Sequence, residues 1–177
     1  MIEHRSVARL ALANPAAPIG AHDCIAHCSN PAFDAMTWEV WSALLGGASL
    51  LVIDQPVLLD GPAFLRTLLA SRANAMLLPV GLFNEYADLL APAFARLKYL
   101  LVGGDVLNPA LAARVLARAE RPQHLINAYG PTRNHRVRRD LRRGRASACC
   151  AAFRSGVRPP IPRCTCWTAT CSRWRWA

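Results

Sequence analysis

No run of apolar residues in this sequence approaches the roughly 20 that a membrane-spanning helix needs, which argues against a helical membrane span. The N-terminus has no charged, then apolar, then small segment of the secretory kind. Seven cysteines are present, an odd number, and none forms a paired CxxC spacing, so a zinc knuckle is poorly served. His4, His22, His27 and His124 have no spacing that suggests a metal site or a catalytic dyad. Lys98 is the single lysine of the chain. Acid is scarce at one end only: residues 133–177 hold Asp140 against twelve arginines, a net +11, which leaves residues 1–132 at −1 within the overall +10. The basic character therefore belongs to the C-terminal stretch, and the body carries no basic footprint of the kind nucleic acid attracts. These absences point to a cytoplasmic protein with reduced thiols, Cys24 and Cys28 being small and buried.

What is present in residues 1–132 is an alternation of strand and helix signals. DCIAHCSN (23–30) predicts a short strand running into a loop, and MTWEVWSALLGG (36–47) a helix closed by glycines. SLLVI (49–53) is a β-rich run, ended by Asp54 and Pro56. PAFLRTLLASR (62–72) has helical apolar spacing, with Pro62 suited to a first turn. AMLLP (75–79) predicts a strand, GLFNEYADLLA (81–91) a helix, and LKYLLVGG (97–104) a strand ending in glycines. NPALAARVLARAE (108–120) predicts a helix with an Asn cap and a Pro at its first position, followed by the strand HLINAYG (124–130). Such alternation predicts an α/β fold, a partial layered α/β/α unit around a mostly parallel sheet. Ligands on such sheets sit beyond the carboxyl ends of the strands. Those ends are SNPAFD, LPVG, VGGD and NAYGPT, loops in which backbone groups can approach a ligand closely.

Four segments in order carry a family resemblance. MIEHRSVARL (1–10) resembles the segment that follows a Gly/Ser/Thr-rich phosphate loop, and NPAFDAMTWEVW (30–41) an aromatic–Asp motif at an amino-acid pocket. LLVGGD (100–105) resembles a glycine turn beside an adenine, and NAYGPT (127–132) a nucleotide motif normally continued by Glu. Together they resemble the adenylation domains of nonribosomal peptide synthetases, among the AMP-forming acyl and aminoacyl-adenylate synthetases. The reaction this implies has two steps. An amino-acid carboxylate attacks the α-phosphorus of ATP with Mg²⁺, giving an aminoacyl adenylate and pyrophosphate. A phosphopantetheine thiol on a carrier protein then takes the acyl group. The protein contributes positioning and charge neutralisation.

The resemblance implies roles for particular residues. Asp34 matches the acid that holds the substrate α-ammonium, a partner that a buried carboxylate needs. From position alone Asp34 reads as a helix N-cap before MTWEVW. Ala35 and Trp38 match the pocket wall, and Leu77, Leu101, Gly103 and Ala128 match further pocket positions; each also suits plain core. A pocket of these residues is largely apolar and implies a hydrophobic amino acid. Gly104 and Asp105 match the nucleotide-side turn. Asn127, Tyr129, Gly130 and Thr132 match the run that stacks on adenine and contacts phosphate, as a tyrosine face and a threonine hydroxyl can.

The sequence also departs from the family. The phosphate loop belongs just upstream of the segment that Met1 begins. Arg133 stands where a Mg²⁺-binding Glu should follow Thr132, and a cation there inverts the local electrostatics. No segment matches the ribose-binding acid or the small C-terminal domain with its catalytic lysine. The expectation is a truncated fragment that forms no adenylate alone. Residues 133–177 have three readings: a basic Arg/Trp tail for nucleic acid or another polyanion, a metal knuckle with poor cysteine spacing, or a shifted reading frame. The last is preferred. RNHRVRRDL can be coded so that reading one base later gives ETTAFAVT, which restores the missing Glu. PRCTCWTATCSRWRWA can be recoded towards the family's ribose-side region, though in another frame, so at least two insertions or deletions are required. An out-of-frame tail has no selected fold and is expected to be disordered.

Overall fold

The computed structural model describes residues 3–128. Five short strands carry the fold: β1 (Cys24–His27), β2 (Ser49–Val52), β3 (Ala75–Pro79), β4 (Tyr99–Gly103) and β5 (His124–Ala128). They form one sheet in the order β2-β1-β3-β4-β5, with every pairing parallel. Parallel neighbours need long crossovers, and helices supply them. They are α1 (His4–Leu12), α2 (Ala35–Gly46), α3 (Gln55–Leu59), α4 (Gly61–Ala70), α5 (Val80–Tyr86), α6 (Ala91–Phe94) and α7 (Pro109–Ala117).

Because strand side chains alternate, the apolar runs of β3 and β4 split into two rows. Ala75, Leu77, Tyr99, Leu101 and Ile126 pack on one face with Leu10 of α1 and Trp38 and Ala43 of α2. Met76, Leu78, Leu100, Val102 and Leu125 pack on the other with Leu58, Phe64, Phe83, Phe94 and Val115 of α3 to α7. A sheet covered on both faces by helices is the layered unit that the alternation predicts.

Local chemistry accounts for several element ends. Gly47 lies past α2 with φ +70°, the left-handed conformation that terminates helices cheaply. The Asn108 side chain caps α7, accepting from Ala110 N–H at 3.0 Å and Leu111 N–H at 3.4 Å. One expected helix is different. The pattern at 81–91 continues only to Tyr86; a turn follows, and α6 starts at Ala91. Pro92, in the first turn of α6, has no N–H to carry a continuous helix through that point. Three helices, α1, α3 and α6, were not expected from the periodicity, and the expected strand over 97–104 occupies only Tyr99–Gly103.

At the amino ends of the strands Asp23 joins three of them. Its carboxylate accepts from Asn74 Nδ2 at 2.8 Å, from Gly20 N–H at 2.9 Å and from Lys98 Nζ at 3.3 Å, while Asn74 Oδ1 accepts from Cys24 N–H at 2.9 Å. Burial alone would raise the Asp23 carboxyl, but these bonds and the Lys98 charge outweigh it and hold it below its ordinary value. A shallow open pocket lined by Gly20, His22, Asp23 and Lys98 lies on this edge.

Candidate functional site

The chain leaves β1 for β2 on one side and then returns to place β3 on the other. The crossover through α2 uses one face of the sheet and the crossover through α5 and α6 uses the opposite face. The carboxyl ends of β1 and β3 therefore flank a topological switch point, where open α/β sheets bind ligands. The loop 28–34, carrying Asp34, leaves β1 there, and Pro79 ends β3 beside it.

Asp34 does not behave as a cap. It has helical backbone angles, φ −68° and ψ −22°, and its side chain makes no cap bond. The half-buried carboxylate has no hydrogen bond or ion pair among the described residues. The N-cap alternative is therefore not what this geometry shows, although position alone favours it. Trp38, one helical turn later, is 2% exposed and its indole N–H is buried without a partner among the described residues. It shares one cluster with Leu77 and Leu101, against which Ala35 and Ala128 also pack. The register explains the gathering: Leu77, Leu101 and Ile126 are direct partners across β3, β4 and β5.

The nucleotide-side residues fall at the ends of the next two strands. Gly103 is the last residue of β4 rather than part of a turn, and pairs with Ala128. A Cβ on Gly103 would lie 2.4 Å from the Ala128 carbonyl oxygen, so close strand approach alone requires glycine. Gly104 makes the turn, with φ +91°, and is exposed together with Asp105. Asn127 pairs with Val102 and is half-buried. Tyr129, Gly130 and Thr132 lie outside the described residues, as does the whole stretch 133–177.

One functional candidate has no signal in the sequence. Glu39, wholly buried on α2, accepts from His27 Nδ1 at 2.5 Å, from Ser29 Oγ at 2.9 Å and from the amides of Ser29 and Cys28 at 3.2 and 3.3 Å. Burial pushes its carboxyl above the ordinary value, and the bonds from His27 and Ser29 pull it back only in part. The Cys28 thiol is raised further, by burial and then by the Glu39 charge, so it is an inert buried thiol. Cys24 is half-buried rather than buried.

A family model described as AMP-binding enzyme matches residues 1–135. The chain belongs to this family of AMP-binding enzymes. Malpibaldin synthetase of Mortierella alpina is 43% identical over 132 residues, which are 75% of this chain and 2% of the synthetase. Among solved structures, holo-PA1221, a protein with adenylation and PCP domains bound to a vinylsulfonamide inhibitor, has a TM-score of 0.73 at 30% identity. That match covers 81% of this chain and 25% of the other. The N-terminal subdomain of Klebsiella oxytoca NpsA has a TM-score of 0.70 at 28% identity, covering 83% of this chain and 38% of the other. The chain is thus part of an adenylation domain of the nonribosomal peptide synthetase type, and the family implies the use of ATP. Magnesium is a separate matter. Among the described residues no group of three His, Cys, Asp or Glu could hold a metal ion, and the residue after Thr132 is Arg133. Arg133 is a cation where the family resemblance expects a metal-binding Glu. No helix among the described residues is long and apolar enough to cross a membrane.

Proposed function

We propose that residues 1–132 carry the amino-acid pocket and one side of the nucleotide site of an adenylation domain that activates an apolar amino acid. One observation carries this reading: Asp34 keeps a half-buried carboxylate free of bonds among the described residues, at the switch point, beside the apolar cluster of Trp38, Leu77 and Leu101. A carboxylate withdrawn from water needs a cation, and the α-ammonium of an amino acid supplies one. Ala35, Trp38, Leu77, Leu101, Gly103 and Ala128 then surround an apolar side chain. Gly104, Asp105 and Asn127, continued by Tyr129, Gly130 and Thr132, receive the nucleotide. With substrates so held, the amino-acid carboxylate oxygen bonds to the α-phosphorus of ATP as pyrophosphate leaves. The phosphopantetheine thiol of a carrier protein next takes the acyl group as AMP departs. The protein acts in the cytoplasm. With Arg133 in place of the expected Glu, this chain alone does not complete the reaction.

Residues 133–177, which lie outside the described residues, are a separate stretch read out of frame. Support comes from the family match, which stops at residue 135, just past the change of composition at Arg133. The polyanion-binding alternative rests wholly on that stretch, and the matches give it nothing. The pocket is tested by titrating the full chain with sulfamoyl-adenosine mimics of aminoacyl adenylates. Leucyl, valyl and phenylalanyl mimics should bind at least about tenfold more tightly than aspartyl or lysyl ones, since a buried unpaired charge costs more than tenfold in affinity. Asp34→Asn should abolish most of that binding; equal affinities, or no binding by the unaltered chain, overturn the reading.

A further inference from the structure

The β1–α2 connection is tied down by one side chain of α2 itself. Glu39 sits in the second turn of the helix, and its two oxygens take four donors from the strand exit: His27 and the Ser29 amide on one, the Cys28 amide and the Ser29 hydroxyl on the other. Between Ser29 and Asp34 only a tight turn remains. Asn30 Oδ1 accepts from Ala32 N–H and Asn30 carbonyl from Phe33 N–H, both at 2.9 Å. Asp34 carbonyl then receives Thr37 N–H at 2.9 Å as the helix begins. The loop is closed from both ends, and its carboxylate, Asp34, has no bond among the described residues.

We propose that Glu39, with His27 and Ser29, is the positioning element that holds Asp34 where it meets the substrate ammonium. This rests on the pocket reading above. The chemistry requires a carboxylate at position 39. Both oxygens accept from a backbone N–H, which cannot turn round, whereas a glutamine amide would set its NH₂ against one of them whichever way it was placed. His27 must then carry its proton on Nδ1 to serve the same acceptor. A buried carboxylate whose loss frees the loop is expected to act on Asp34 without touching the ligand.

The test compares two probes on the full chain by calorimetry: leucyl sulfamoyl-adenosine and its analogue without the amino group. The unaltered chain should favour the amino probe about tenfold or more, the range of a hydrogen bond to a charged group, and Asp34→Asn should remove that preference. Glu39→Gln should also reduce it to within about threefold, while binding of the deamino probe and the far-ultraviolet circular dichroism stay unchanged. Ser29→Ala, which removes one of the four bonds and leaves both cores intact, should lose part of the preference and provides the readout where Glu39→Gln does not fold. A preference that depends on Asp34 but survives both changes overturns the positioning role alone. Equal affinity of the unaltered chain for the two probes overturns the pocket reading and this role together.

Discussion

Asp34 and Asn108 stand at the same kind of place, immediately before a helix, and do different things. Asn108 spends its side-chain oxygen on two amides of α7, while Asp34 gives nothing to α2. Removing the first should therefore cost stability and removing the second should not. In urea denaturation Asn108→Ala is expected to lose about 1 kcal/mol, and Asp34→Ala to stay within about 0.5 kcal/mol of the unaltered chain. A loss of about 1 kcal/mol at Asp34 would return it to helix capping. At this scale position alone misleads, because it points to a side-chain cap that Asp34 does not form. An N-cap is a matter of side-chain torsion and local backbone angle, and neither is written in residue order. Gly103 shows the converse. It reads as pocket or turn, yet the Ala128 carbonyl already excludes any side chain there.

The elements were legible where local signals agreed. β3 falls on the expected AMLLP, and α2, α4, α7 and the remaining strands lie within a few residues of their expected limits. The exceptions are α1, for which no helix was expected, and short or interrupted segments such as α3 and the break before α6, where four or five residues do not establish a period. What joins elements was not legible. Asp23 is 51 positions from Asn74 and 75 from Lys98, yet the three tie the amino ends of β1, β3 and β4. The Asp23 carboxyl is held below its ordinary value. Its contribution is therefore fully present above the unfolded aspartate pKa of about 3.9 and is lost as pH falls through the lower folded value. Urea midpoints should show the unaltered chain above Asp23→Asn at pH 6, with the gap closing below about pH 3.9. A gap that stays constant down to pH 2 would remove the charge from the account.

For the molecule as a whole, the sheet has two edges, β2 and β5, and the β2 side is apolar outside as well as inside. Val52, Leu44 and Trp41 are 62%, 61% and 42% exposed. Edges and outward apolar residues of this kind favour association. The chain spans 25% and 38% of the two adenylation structures it matches, so the remainder of such a domain is the natural context for these surfaces. The change of character after Thr132 belongs to this scale too, since it separates a near-neutral body from twelve arginines. Genomic sequencing across codons 130–136, paired with the intact mass of the expressed protein, checks it. The expected result is an insertion or deletion beside codon 132 whose correction restores Glu after Thr132. A clean genomic frame with a matching mass would make the basic stretch a genuine part of the protein.

Residue order was enough for the α/β class, for most strands and helices and for the family. Those properties arise from periodicity and turn chemistry, which act over a few neighbouring residues. The tertiary structure alone decided that Asp34 is left without a bond among the described residues, that Glu39 and His27 meet, and that Leu77, Leu101 and Ile126 form one row under Trp38. The row depends on which strand lies beside which and in what register, and the first two on how α2 folds back over the end of β1. Strand order is a global choice, made by burying two apolar faces at once, and no single stretch of sequence contains it.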